Sequence, residues 1–168
     1  HYTGSLDDFR MYNKVLTSSE VSFLNNSDSG TEEQFVDDGN VDGALYFDGT
    51  SDDDVTVPYS DELNSASFTF ALCAKVTGDH GYWRTPVSSR DYDYNNVIAS
   101  GFNIYASPDN NWQFWMGDGV SYKATIGPDI KDNEWTHIVG TFEPTSEDGN
   151  GIYTGTRSLY VNGTLYAQ

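Results

Sequence analysis

The chain has 168 residues, of which 37% are hydrophobic, 15% aromatic and 20% charged. That is a folded chain of one domain, long enough to bury about two thirds of its unfolded surface without disulfides. The 26 Asp and Glu against 8 Lys and Arg leave a net charge of −18, which argues against nucleic acid and anionic membranes, both phosphate surfaces that recruit Lys and Arg.

Such a charge repels itself, and bound cations would relieve it. No apolar run approaches the roughly 20 residues of a membrane span. There is neither a basic-then-apolar leader nor an initiator Met, so the expectation is a chain processed or excised from something longer. The one cysteine, Cys73, excludes an intramolecular disulfide framework. It lies in the apolar stretch Ser67–Val76 and reads as a buried thiol, with an intermolecular bridge or a reactive thiol as the alternative. The sequons Asn25-Asn26-Ser27 and Asn162-Gly163-Thr164 make Asn25 and Asn162 candidate glycosylation sites and lean toward secretion.

The first predicted element is a strand over Tyr2–Tyr12. Thr17-Ser18-Ser19-Glu20 is a capping box, in which the Thr17 hydroxyl takes the Glu20 amide and Glu20 reaches back. With Val21, Phe23 and Leu24 as its apolar face, the helix that follows is predicted to run two turns at most. Asn25–Gly43 is polar, acidic and Gly-containing, and reads as a linker of up to about 60 Å when extended. The domain organisation is therefore 1–24 as strand and short helix, 25–43 as linker and 44–168 as the main body.

From Ala44 onward the signal is all-β. Ala44–Phe47 and Val55–Pro58 read as short strands around an Asp-rich bend, and Ser67–Val76 as a longer one. Pro86–Ser89, Asn96–Ser100, Phe102–Ala106, Trp112–Met116, Ser121–Thr125, Trp135–Phe142 and Ser158–Val161 follow, separated by Gly, Asn, Asp and Pro turns. Asn162-Gly163 before Leu165-Tyr166 is a hairpin signal, because a type I′ turn needs two positive φ angles. Many short strands at regular spacing predict an antiparallel two-sheet sandwich or jelly roll. No internal repeat is present.

The insertion Gly78–Asn95 carries His80, Tyr82, Trp83, Arg84, Arg90, Tyr92 and Tyr94. Aromatic faces stack on sugar rings and the Arg fork donates to hydroxyls, which makes Tyr82, Trp83, Arg84, Arg90, Tyr92 and Tyr94 candidate ligand contacts. The same composition suits a protein contact, and some of these aromatics could simply cover the sandwich edge. Trp112-Gln113-Phe114-Trp115-Met116 sets Trp112, Phe114 and Met116 on one face and Gln113 and Trp115 on the other. One face is core; the other is either a covered second face or the wall of a sugar groove. His137 reads as a structural histidine. No H-E-x-x-H, G-x-S-x-G, P-loop or dinucleotide fingerprint occurs. Glu134 and Glu143 flank a strand singly, not as the paired carboxylates of a glycosidase. The expectation is no enzyme.

Several stretches resemble the laminin-G-like branch of the concanavalin A-like superfamily. Ala44-Leu45-Tyr46-Phe47-Asp48-Gly49 with Val55-Thr56-Val57-Pro58 resembles its opening strand pair, and Phe68–Lys75 its next strand, with Cys73 where the family often has Trp. Trp135-Thr136-His137-Ile138 resembles its W-x-H strand, and Leu159-Tyr160-Val161-Asn162-Gly163 its LYVNG hairpin. Gly4–Leu16 with the capped helix resembles its closing strand and tail. The order departs from the family, where the closing strand comes last. No stretch matches the strand that the family places between the hairpin and the closing strand. A permuted single domain, a slice of a tandem array, and a first segment that completes a neighbour's sandwich all remain open.

The resemblance implies an extracellular, non-catalytic module. It implies structural calcium, for which Asp48, Asp7 and Asp8 with the Gly49 or Thr50 carbonyls are candidates, and Asp52, Asp53 and Asp54 a second set. The alternative is an acidic turn whose carboxylates cap backbone amides. The function expected is a structural or adhesive module that assembles with neighbouring copies; the alternative is a lectin-like carbohydrate-binding module.

Overall fold

The computed structural model describes residues 2–28, 44–50, 54–78, 81–93 and 98–168. The chain forms the antiparallel sandwich expected. Its first elements are β1 (Thr3–Tyr12), α1 (Ser18–Asp28), β2 (Leu45–Asp48) and β3 (Phe68–Val76), with a 3-10 turn at Asp61–Leu63. Then come β4 (Arg84–Ser88), β5 (Asp91–Asp93), β6 (Ile98–Ser100), β7 (Phe102–Ala106) and β8 (Asn111–Gly117). β9 (Tyr122–Asp129), β10 (Trp135–Glu147), β11 (Tyr153–Val161) and β12 (Thr164–Ala167) complete it. One sheet runs β12-β11-β10-β3-β1-β2, the other β4-β7-β8-β9, and β5-β6 is a small ribbon.

The apolar run of β3 is explained by burial on both faces. Phe70, Leu72, Ala74 and Val76 face the second sheet and meet Phe102, Ile104, Trp112 and Phe114. Phe70 stacks on Phe102 at 4.9 Å and takes the edge of Phe114 at 5.1 Å. On the other face, Ala71 with Val139 and Tyr160 receives Leu16, Val21 and Leu24 of the helix segment. Cys73 is buried on that outer face and is in no disulfide.

The first segment docks onto this chain's own sheet. β1 pairs with β2 over Thr3–Leu6 and with β3 on its other side, Gly4 opposite Val76 and Asp7 opposite Cys73. A shift between Asp7 and Arg10 re-registers the rest, with Asp8 at φ 54. Gly4 is required where it stands: a Cβ there would lie 2.0 Å from the Lys75 carbonyl oxygen. The buried Tyr2 hydroxyl donates to that same carbonyl at 2.8 Å, and burial pushes its pKa up. The capping box forms as read, Glu20 N–H to Thr17 Oγ1 at 3.3 Å and Thr17 N–H to Glu20 Oε2 at 2.8 Å.

Three local expectations are corrected. α1 reaches Asp28, so it has three turns and absorbs the first residues assigned to the linker; the remaining linker residues, 29–43, lie outside the described residues. Phe23 is 71% exposed, because Val21 and Leu24 share a face from which residue 23 is turned away. Val55–Pro58 forms no strand, and Val55 and Val57 stay 64% and 63% exposed. Strand-type residues form a ladder only where a neighbour presents an edge, and no described strand pairs with this segment. It borders an open cleft of about 2430 Å³ whose walls include Leu6, Phe47, Val87 and Met116.

Asn162 and Gly163, at φ 48 and 75, make the predicted primed turn between β11 and β12. The Asn162 side chain also accepts the His137 N–H at 2.9 Å. Among the described residues no helix is long and apolar enough to cross a membrane.

Candidate functional site

Strand alternation decides which face of the four-stranded sheet is core. Val87, Ile104 and Phe114 stand in one cross-strand row, and Phe102 opposite Met116 in another, all packed toward the six-stranded sheet. Their neighbours in sequence must then face outward. Ser88, Asn103, Trp115 and Ala124 form one outward row, and Tyr105, Gln113 and Ile126 the next. The second face of the Trp112–Met116 strand thus lies outside the sandwich core, although Gln113 and, across the ladder, Asn103 are only 4% and 2% exposed.

Aromatic rings concentrate there. Trp83, just before β4, meets the ring of Tyr105 at 4.9 Å and that of Trp115 at 5.6 Å, both edge to face. Tyr105 and Trp115 close the triangle at 5.8 Å. Such pairs hold one another in place beyond their buried area. Trp83 remains 45% exposed.

Polar side chains are fixed beside the rings. Trp115 Nε1 donates to Gln113 Oε1 at 2.7 Å, and Gln113 Nε2 donates to Asn111 Oδ1 at 2.8 Å. Ser107 Oγ donates to the same Asn111 oxygen at 2.9 Å. Ser88 Oγ donates to Asn103 Oδ1 at 2.6 Å. The Arg90 guanidinium lies 5.0 Å from the Tyr122 ring centre, a cation–π distance. The Tyr122 hydroxyl donates to the Ser100 carbonyl at 2.7 Å, and partial burial raises its pKa. The result is an aromatic cluster whose neighbouring amides, Asn103 and Gln113, are buried, with the exposed Ser88 and Arg90 beside it.

The candidate contact residues are distributed unevenly. Trp83 and Arg90 belong to this face. Tyr82, 72% exposed, is beside it in sequence. Arg84 does not belong: it pairs with Ala106 in the core-facing row and is only 3% exposed, so it offers no fork to a ligand on the outer face. Tyr92 lies in β5, and Tyr94 and His80 lie outside the described residues. The sequence alone puts Gln113 and Trp115 on a face that could wall a sugar groove, but it does not single out Tyr105, Asn103 and Tyr122. Their signal was the alternation of β7, β8 and β9, which marks a polar and aromatic second face but not which rings meet across it.

The carboxylates proposed for calcium do not come together. Thr3, not Asp7, stands opposite Asp48. Asp7 is four residues farther along β1, about 13 Å at roughly 3.3 Å per residue, whereas calcium takes its oxygens at about 2.4 Å. Asp48 Oδ1 accepts the Thr50 N–H at 2.8 Å, and that bond holds the carboxyl below its ordinary pKa. Asp7 Oδ1 accepts the Asp8 N–H at 2.7 Å, and Asp8 pairs with Arg10 at 2.6 Å. These are the amide-capping and ion-pair uses of carboxylates. Gly49 goes with Asp48; Asp52 and Asp53 lie outside the described residues. Among the described residues no three His, Cys, Asp or Glu form a metal site.

The two sequons sit close together. A Cβ on Gly163 would meet Asn25 at 3.4 Å, which places Asn25 of α1 beside the turn that begins at Asn162. His137 is buried on the outer side of the six-stranded sheet, opposite Cys73. Burial first, and the Arg10 charge second, lower its pKa to about 4, against a smaller pull from Asp8.

No curated protein and no solved structure matches the chain. A family model does, over residues 36–168: the chain belongs to the laminin G family of the concanavalin A-like lectin/glucanase superfamily.

Proposed function

We propose that this chain is a non-catalytic extracellular adhesion module that binds a glycan on the outer face of its four-stranded sheet. The observation that carries this is the Trp83–Tyr105–Trp115 cluster on that face, with the buried amide of Gln113 fixing the Trp115 indole. A pyranose offers apolar C–H faces to stack and equatorial hydroxyls to bond; the rings suit the first, and the exposed Ser88 and Arg90 beside them suit the second. Family membership supports a lectin-like or adhesive role in general. The absence of a carboxylate pair in the outward rows supports a non-catalytic reading: Ser88, Asn103, Trp115, Ala124, Tyr105, Gln113 and Ile126 include no carboxylate, and Asn111 has Asp129 alone opposite it. A glycosidase needs two, about 5–9.5 Å apart on the substrate face.

A glycan array followed by titration of the best oligosaccharide tests the reading. Trp83→Ala should weaken binding at least about tenfold, some 1.4 kcal/mol, with the unfolding midpoint little changed. Binding of no array member, or equal affinity in the variant, overturns it.

Assembly with neighbouring copies is a second part of the reading. It is favoured by β1 and α1, which lie outside the family match and yet supply a central strand and a covering helix. Light scattering of the native protein tests it: monomers at every concentration would remove it.

A further inference from the structure

We propose that copies of this chain exchange their β1–α1 segments head to tail, each seating its own residues 2–28 in the sandwich of the next copy. The inference rests on the assembly reading and names its device.

The matched family unit starts at residue 36, but the sheet it builds is continuous only with β1 inside it, between β3 and β2. Everything that holds the segment belongs to the body. Tyr2 donates to the Lys75 carbonyl, and Leu16 N–H donates to Thr69 Oγ1 at 2.9 Å. Thr69 Oγ1 in turn donates to the Lys14 carbonyl at 2.8 Å. Val21 and Leu24 bury against Ala71, Val139 and Tyr160.

Donor and acceptor are thus two complementary surfaces joined covalently only through residues 29–43, a tether of up to about 50 Å. The same contacts form whether the segment comes from its own chain or from another. Because donor and acceptor surfaces differ, exchange is heterologous and propagates as an open chain unless a ring closes. The balance is set by concentration. Covalent linkage to the body gives the chain's own segment an effective concentration of about a millimolar, so closed monomers dominate in dilute solution and exchange sets in where copies are crowded.

The chain's own cysteine supplies the test. Cys73 stands opposite Asp7 across the β1–β3 ladder, where Cα separations of about 4.5–5.5 Å suit a disulfide. A donor carrying Asp7→Cys with Cys73→Ala is mixed in urea with the natural chain, refolded, oxidised, run on a non-reducing gel and peptide-mapped. A 7–73 link can then form only between chains. The expected result is a linked dimer at about 1 mM protein, at least tenfold scarcer at about 10 μM. Asp7→Cys with Cys73 retained must close within one chain at the lower concentration. If it does not, Leu6→Cys with Ala74→Cys, the adjacent pair, takes its place in the same mixing design, divided between the two chains. Absence of the interchain link at 1 mM overturns the exchange. Large species by light scattering without that link leave assembly to another surface; monomers alone remove both.

Discussion

His137 gives this protein a pH-dependent stability that is separable from its many carboxylates. The imidazole is buried and its pKa is about 4 in the fold, against roughly 6.5 in an unfolded chain. Between those values the unfolded state binds the proton and the folded state does not, so stability rises with pH across the window and falls as pH drops. Its contribution is fully present above pH 6.5. Taking the chain from pH 7.5 to 5.0 crosses about 1.5 units of the unfolded titration, which costs about 2 kcal/mol, and the full loss below pH 4 is about 3 kcal/mol. Glu20, with a pKa of about 2, and Asp48, Asp118 and Asp148, all lowered by hydrogen bonds, stay ionised in this window. Urea unfolding at both pH values, for the natural chain and for His137→Gln, reads the effect. His1 and His80 are retained in both proteins, so the difference isolates His137. Equal stability of the natural chain at pH 7.5 and 5.0, or an equal fall in the variant, would refute the reasoning.

Other substitutions probe the packing. Phe70→Ala removes the fully buried ring that stacks on Phe102 and meets Phe114 edge to face and should cost about 4 kcal/mol in denaturant unfolding. Gly163→Ala places a side chain at φ 75, toward Asn25, and should cost about 1–2 kcal/mol by the same assay. Val57→Ser should change stability by less than about 0.5 kcal/mol, because Val57 stands outside both sheets; a larger loss would place the Val55–Pro58 segment in the core.

Local signals in the chain survive folding, and long-range ones do not. The Thr17–Glu20 box, the Asn162-Gly163 turn and the two faces of the Trp112–Met116 strand each depend on residues a few positions apart, and each forms as read. Val55-Thr56-Val57-Pro58 has strand composition but no partner edge, and composition alone does not supply one. Arg84 read as an exposed loop donor; a strand starting at that residue turns it inward. The meeting of Trp83 with Trp115 depends on how β4, β7 and β8 register, which no local pattern encodes. Asp48 and Asp7 fail to meet for the same reason, since the ladder brings Thr3 opposite Asp48. The fold class was legible because alternation and turn chemistry recur along the chain; the site was legible only as an aromatic-rich insertion.

The four tryptophans make the most direct test of the binding face, because each reports from a different place. Trp83 and Trp115 belong to the outer cluster, Trp112 is buried between the sheets, and Trp135 lies on the six-stranded sheet with the Lys75 ammonium 5.4 Å from its ring. Nitrogen–proton NMR spectra of the indole N–H groups, recorded while the array-selected oligosaccharide is added, resolve them individually. The account predicts that the Trp83 and Trp115 signals shift together along a saturating curve while Trp112 and Trp135 stay in place. Shifts confined to Trp135, or saturable binding that moves neither Trp83 nor Trp115, would contradict it.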